Sequence, residues 1–145
     1  MGVIQRQIKA KLFDKYNADT SGFKSAINGF YFYKAPDGVT QDNYPIILYS
    51  IITTSSELTF NKGAVPSTET PLIEFKILSK NVISTEAEDI LEKLQAVFDG
   101  ASLTLSGWRV RELRRELRNS ITGPYVDEFG IWNINALYRA VCDKS

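Results

Sequence analysis

The sequence predicts an α+β fold, in which two amphipathic helices accompany four to five β-strands. Two stretches place apolar residues at the helical spacings of three and four, and several runs rich in β-branched and aromatic residues are typical of strands. The chain has 145 residues, of which 43% are hydrophobic, enough to bury a core of its own. We therefore expect a single domain that spans residues 1–145.

The first predicted helix covers residues 2–16. Four apolar residues recur at every fourth position and form one stripe along it. A cluster of turn-forming residues at 17–22 ends the helix. This cluster resembles the start of a calcium-binding loop, but the twelfth position of such a loop requires a bidentate Glu and is Asn28 here. The stripe consists of Ile4, Ile8, Leu12 and Tyr16.

Three features lie between the two helices. Residues 23–34 contain the aromatic run Phe30–Tyr33, which favours a strand over a helix. The β-branched run at 46–54 is typical of a strand covered on both faces, whereas residues 72–78 alternate apolar and charged side chains as a half-buried strand does. We expect the polar stretch 55–70 to form a long exposed excursion.

The second helix, residues 85–98, has the clearest pattern in the chain. Its apolar residues from Ala87 to Phe98 follow the spacings of three and four. Thr85 and Glu88 fit a capping box at its start, and Gly100 is a favourable stop after its end.

The sequence predicts the C-terminal strands within residues 103–142. The stretch 103–110 alternates in two phases that change at Gly107, which suggests a bulge there. Residues 111–118 fit either a strand or a helix, because their helix propensity is good and Leu113 and Leu117 lie four apart. Residues 131–140 alternate again and predict a terminal strand, which a turn near Gly123 could join into a hairpin.

The composition argues against most enzyme chemistry. The chain has no histidine, which excludes histidine-based triads and metal sites, and its single cysteine, Cys142, cannot form an internal disulfide. Seventeen basic residues balance seventeen acidic ones, which disfavours nucleic-acid binding through bulk positive charge. No apolar stretch is long enough to predict a membrane span. We expect no enzyme activity, no cofactor, no metal and no membrane partner.

Two stretches of opposite charge are the candidate site. Residues 109–118 carry five arginines against two glutamates, and residues 86–99 carry five acids against one lysine. The two stretches could be ordinary solvated faces, or they could meet between copies of the chain. The arginines could also bind DNA or another anion. The candidate inter-subunit residues are Arg111, Arg114, Arg115 and Arg118 on the basic side, with Glu88 and Glu92 on the acidic side.

The order of these elements resembles a known family. The fragment 33–36 (Tyr-Lys-Ala-Pro) precedes 43–47 (Asn-Tyr-Pro-Ile-Ile), and Ser84–Ala87 opens a helix that closes on Phe98–Gly100. Trp108–Val110 and a terminal strand with Trp132 and Tyr138 follow. Over about residues 3–142 the chain resembles the small tail-terminator and tail-completion, or head–tail joining, proteins of long-tailed bacteriophages and prophages.

The resemblance implies a mixed, mainly antiparallel sheet with two helices packed against it. It also implies a ring, usually of six copies, at the head-proximal end of the phage tail, where it ends tail-tube polymerisation. The implied partners are further copies of the chain, the tail-tube protein, a head-completion or neck protein, and genomic DNA that passes through transiently. The implied location is the virion, after assembly in the host cytoplasm.

Two alternatives stay open at this point. The chain could be a neighbouring neck or head-completion protein of the same particles. It could instead be a small anion-binding domain unrelated to phages, which would use the arginines of residues 109–118 to hold its ligand.

Overall fold

A single mixed sheet with helices on one face organises the described part of the chain. The computed structural model describes residues 3–53, 56–57, 68–69, 71–117 and 119–144. Within these residues the elements, in chain order, are α1 (Val3–Asn17), α2 (Phe23–Ala26), β1 (Phe30–Phe32), a 3₁₀ turn (Gln41–Asn43), β2 (Ile46–Thr53), β3 (Ser56–Glu57), β4 (Thr68–Glu69), β5 (Leu72–Ser79), α3 (Thr85–Phe98), β6 (Leu103–Thr104), β7 (Trp108–Arg115), β8 (Ile121–Val126) and β9 (Trp132–Lys144).

Strand β9 is the axis of the sheet. One of its edges pairs with β5 and then β4, and its other edge pairs with β8 and then β7. Strand β2 joins the far edge of β5, and β1 pairs with β2 as the one parallel pair among the described strands. The sheet is therefore mixed and mainly antiparallel, as the resemblance implies.

The predicted number of four to five strands is too low. The described residues form nine strands, three of which have only two residues each. Such short strands carry no alternation that a sequence pattern could reveal. Apart from β3 and β4, which pair with each other, the predicted excursion 55–70 lies outside the described residues.

The arginine-rich stretch is a strand as far as Arg115. Although these residues have good helix propensity, they form a strand because β7 pairs with β9 and buries Val110 and Leu113 in the core. The bulge in this strand lies between Val110 and Glu112, not at Gly107. Gly107 has a φ of 77° and lies in the turn between β6 and β7 instead, a conformation that favours glycine.

The core lies between the sheet and the helices. The apolar stripe of α3 is buried as predicted, at Ala87, Ile90, Leu94 and Phe98. Against it the ring of Phe75 stacks on Phe98 at 4.8 Å and meets Tyr138 edge-on at 5.6 Å, measured between ring centroids.

Two local predictions need correction. The N-cap of α3 is Ser84, and its hydroxyl donates to Glu88 at 2.6 Å, so the box of Thr85 with Glu88 does not form. The predicted strand 23–34 is divided, because Phe23–Ala26 forms the short helix α2 and only Phe30–Phe32 pairs as a strand. Phe23 still reaches the core from that helix and packs edge-on against Phe98.

On the opposite face of the sheet, no α-helix packs among the residues that the structure describes. The segment between β1 and β2 covers part of this face, where it encloses a small second cluster formed by Ile46, Leu78 and Ile131. Strand β2 is thus covered on both faces at its start, by the burial of Ile46 on one face and of Ile47 on the other, whereas Ile52 near its end is exposed. The prediction of a strand covered on both faces therefore holds for only part of β2. No helix among the described residues is long and apolar enough to cross a membrane.

Candidate functional site: inter-subunit surfaces

The strand β7 distributes its charges over both faces of the sheet. Leu113 points into the core, so Glu112 and Arg114 point to the helix-free face because side chains alternate along a strand. Arg115 shares the side of Leu113 and reaches the end of α3. Arg111 is exposed at the bulge, and Arg118 lies outside the described residues.

Arg115 belongs to a three-residue network within its own chain. Its Nε and a terminal guanidinium nitrogen donate to Asp99 Oδ2 at 3.0 and 2.6 Å. The hydroxyl of the fully buried Tyr138 donates to Asp99 Oδ1. The hydrogen bond to Asp99 raises the pKa of Arg115, and burial together with the same carboxylate raises the pKa of Tyr138. Asp99 thus joins the C-terminal end of α3 to β7 and β9.

Two further arginines are paired with carboxylates of the same chain. Arg114 forms an ion pair with Glu112, two positions before it on the outer face of β7. Arg139 on the neighbouring strand donates to both oxygens of Glu116, at 2.9 and 3.2 Å. The hydrogen bond from the backbone N–H of Leu117 lowers the pKa of Glu116, opposed by partial desolvation and aided by Arg139.

The acidic candidates lie on another surface. Glu88 and Glu92 are exposed on α3, away from its buried stripe. The partners of Arg114 and Arg115 in their own chain are Glu112 and Asp99, not these two glutamates. Within one copy, Arg114 and Arg115 are therefore paired with carboxylates other than the predicted glutamates.

The turn between β8 and β9 forms a surface that the sequence analysis does not identify. We call it the tip surface and define it as Tyr125, Val126, Glu128 and Phe129. Its apolar members are 43%, 51% and 67% exposed for Tyr125, Val126 and Phe129. Tyr125 and Val126 are neighbours on β8 and point to opposite faces of the sheet, so the candidate contact is centred on Phe129, the most exposed of the three.

Asp127 fixes the shape of this turn. Its Oδ1 accepts the backbone N–H groups of Phe129 at 2.9 Å and of Ile131 at 3.0 Å, and its Oδ2 accepts the side-chain amide of Asn133 at 3.3 Å. The hydrogen bond from Ile131, aided by those from Phe129 and Asn133 and opposed by partial desolvation, lowers the pKa of Asp127. Asp127 is therefore a structural carboxylate, and Phe129 projects from an ordered turn.

A groove of about 620 Å³ runs between α1 and β1. We call it the α1–β1 groove. Its apolar lining includes Phe13, which is itself partly exposed, and Tyr49, whose hydroxyl donates to the carbonyl of Lys9 at 3.4 Å. The ammonium group of Lys9 lies 4.6 Å from the centroid of the Phe32 ring, a cation–π geometry. The lining consists of Arg6, Lys9, Ala10, Phe13, Asp14, Phe30, Tyr31, Phe32 and Tyr49.

The turn after α1, which resembles the start of a calcium-binding loop in the sequence, is held by hydrogen bonds within the chain. Asp19 accepts hydrogen bonds from Ser21 and from the backbone N–H of Lys24, so it shapes the turn that resembles a calcium loop. No group of three or more potential metal-ligating side chains occurs within the described ranges.

Comparison with known proteins identifies the fold. No protein-family model and no curated protein sequence matches the chain. A chain from the virion of a native gene transfer agent particle has the same fold at a TM-score of 0.75, with 13% identity over 99% of this chain and 99% of that one. A second solved structure gives a TM-score of 0.63, with 12% identity over 98% of this chain and 93% of its own. The two likenesses define the fold of the whole chain.

Proposed function

We propose that this chain is a structural protein of a phage-like virion, which assembles into a ring of six copies at the head-proximal end of the tail. The ring ends the polymerisation of the tail tube and joins the tail to the head. One observation carries the proposal: the fold matches, from end to end, a chain taken from the virion of a gene transfer agent particle. The resemblance in element order to tail terminators points the same way.

The proposed partners follow from that position. Each copy contacts further copies, the tail-tube protein on one side and a head-completion or neck protein on the other. Genomic DNA passes through transiently, and the zero net charge of the chain suits passage better than retention. The location is the virion, after assembly in the host cytoplasm.

The distribution of charge supports contacts between unlike surfaces. A ring requires that one patch of a copy meet a different patch of the next copy. The outward-facing side of β7 carries Arg114, and the outward-facing side of α3 carries Glu88 and Glu92. We infer that Arg111, Arg114, Arg115 and Arg118 contribute to the contact with Glu88 and Glu92 of the next copy. Opposite charge selects this orientation over pairing of like patches.

Mass measurement tests the ring. Size-exclusion chromatography with light scattering gives about 98 kDa for a free ring, six times the 16.3 kDa of one chain, and a larger mass when added tail-tube protein binds the ring. A chain that stays at 16.3 kDa under both conditions contradicts the proposal.

Charge reversal tests the contact. Arg114→Glu weakens the ring at low salt, and Glu88→Lys with Glu92→Lys restores it in part. Lys34→Glu, an exposed reversal outside both charged stretches, is the matched control and leaves the ring intact. An intact Arg114→Glu ring with weaker, salt-sensitive DNA binding would instead assign these arginines to DNA.

A further inference from the structure

We propose that the tip surface of one copy docks in the α1–β1 groove of the next copy, an inference that rests on the proposed self-assembly. It assigns a second, mainly apolar contact in addition to the charged one. Four observations support it: the exposure of the tip, the lining of the groove, the charges beside both, and their placement on opposite edges of the sheet.

The tip surface is exposed, and no described part of its own chain covers Phe129. Phe129 is two-thirds exposed, although the turn that carries it is fixed by the three hydrogen bonds to Asp127. A turn whose backbone is ordered before binding loses less conformational entropy when its side chain docks. Large apolar side chains at the centre of a contact commonly supply most of its affinity.

The groove suits such an anchor. Its lining combines aromatic faces from α1, β1 and β2 with the small side chain of Ala10, and its volume falls within the range of pockets that bind compact ligands. Aromatic side chains prefer offset or edge-on contact with one another, which the rings of Phe13 and Phe32 offer to an incoming Phe129.

The charges of the two surfaces are complementary. The groove is lined by Arg6 and Lys9 against one acid, Asp14, which leaves it net positive, and Glu128 lies next to Phe129 at the exposed turn. A docked Phe129 therefore brings an acidic neighbour towards two basic side chains. This match identifies the occupant as a second copy of the chain, because the acidic and aromatic pattern required by the groove is present at the tip.

Topology prevents the tip from filling the groove of its own copy. Four inter-strand steps separate β1 from β8, through β2, β5 and β9, which amounts to about 19 Å across the sheet. The two surfaces thus lie at opposite edges of one copy. A contact between them is head-to-tail, the type that closes into a ring when the rotation between copies allows it.

Truncation of the anchor is the first test. Phe129→Ser should weaken assembly by about tenfold or more in apparent dissociation constant, as measured by light scattering over a concentration series. Val82→Ser is the matched control, because Val82 is 93% exposed but belongs to neither surface. Glu128→Arg should weaken assembly as well, and Arg6→Glu in the same chain should restore it.

Cross-linking identifies the partners directly. Phe129→Cys and Ala10→Cys chains, mixed and oxidised, should form a disulfide-linked pair, whereas neither variant alone should. The native Cys142 is buried and does not compete. If the wild type assembles but Phe129→Ser assembles equally well, or the mixture does not cross-link, the docking is wrong while the proposed function stands. A wild type that stays monomeric with tail-tube protein present overturns both.

Discussion

Removing the carboxylate of Asp99 should reveal how the network at the end of α3 holds the sheet. Asp99→Ala removes the acceptor of the buried Tyr138 hydroxyl and the ion partner of Arg115 at once. Arg115→Ala removes only the exposed ion pair, and Tyr138→Phe removes only the buried donor. The three variants therefore separate a surface interaction from a buried one.

The expected magnitudes differ because burial differs. A buried hydroxyl left without its partner costs about 1–3 kcal/mol, and an ion pair exposed to solvent contributes about 0–1 kcal/mol. Tyr138 is 0% exposed, whereas the Arg115 side chain is 46% exposed. We expect Asp99→Ala to lower the free energy of unfolding by about 2–3 kcal/mol, Tyr138→Phe by about 1 kcal/mol, and Arg115→Ala by less than about 1 kcal/mol.

Urea unfolding followed by tryptophan fluorescence measures these differences, since Trp108 and Trp132 lie in the affected strands. In the double variant Asp99→Ala with Tyr138→Phe no hydroxyl is left unsatisfied, so its loss should be smaller than the sum of the two single losses. The reasoning is refuted if Asp99→Ala unfolds within about 0.5 kcal/mol of the wild type, or if the two effects simply add.

Three further predictions concern the core. Leu94→Ala on α3 should cost about 2–5 kcal/mol because Leu94 is fully buried, and a loss below about 0.5 kcal/mol in chemical unfolding would place its stripe against solvent. Cys142 should react with a thiol reagent only after unfolding, since it is buried on β9, and rapid labelling of the native protein would contradict that packing. Burial raises the pKa of Tyr49 to about 12 from its usual value near 10, so the folded state holds this proton more tightly than the unfolded chain. The stabilisation is complete below about pH 10 and is lost as the pH rises to about 12, and a Tyr49→Phe variant with an equally steep loss in alkaline melts would refute the assignment.

The sequence predicted best those elements whose pattern is long and local. Helix α3 and strand β9 each keep one periodicity over many residues, and both were found where the pattern indicates. The stretch 111–115 could not be decided in this way. The helix propensity of its own residues is good, and it forms a strand because it pairs with β9, which is distant in sequence.

The candidate site was predictable in its charges but not in its contacts. Arginines and acids can be counted in the sequence, yet the pairing of Arg115 with Asp99 depends on how α3 and β7 meet. The tip surface was missed because Asp127 and Glu128 in a turn rich in glycine are typical of a solvated loop. The signal that could have identified it is Phe129, a large aromatic residue placed between Glu128 and Gly130 in that turn.

In the proposed function, copies of this chain form a ring that closes the end of a tail tube. Electron microscopy of tail-tube protein polymerised with and without the chain tests it most directly, with the Phe129→Ser variant as a comparison. We expect shorter tubes, each with one ring of six copies at a single end, and a weaker effect of the variant. Tubes of unchanged length without added density at either end would contradict it.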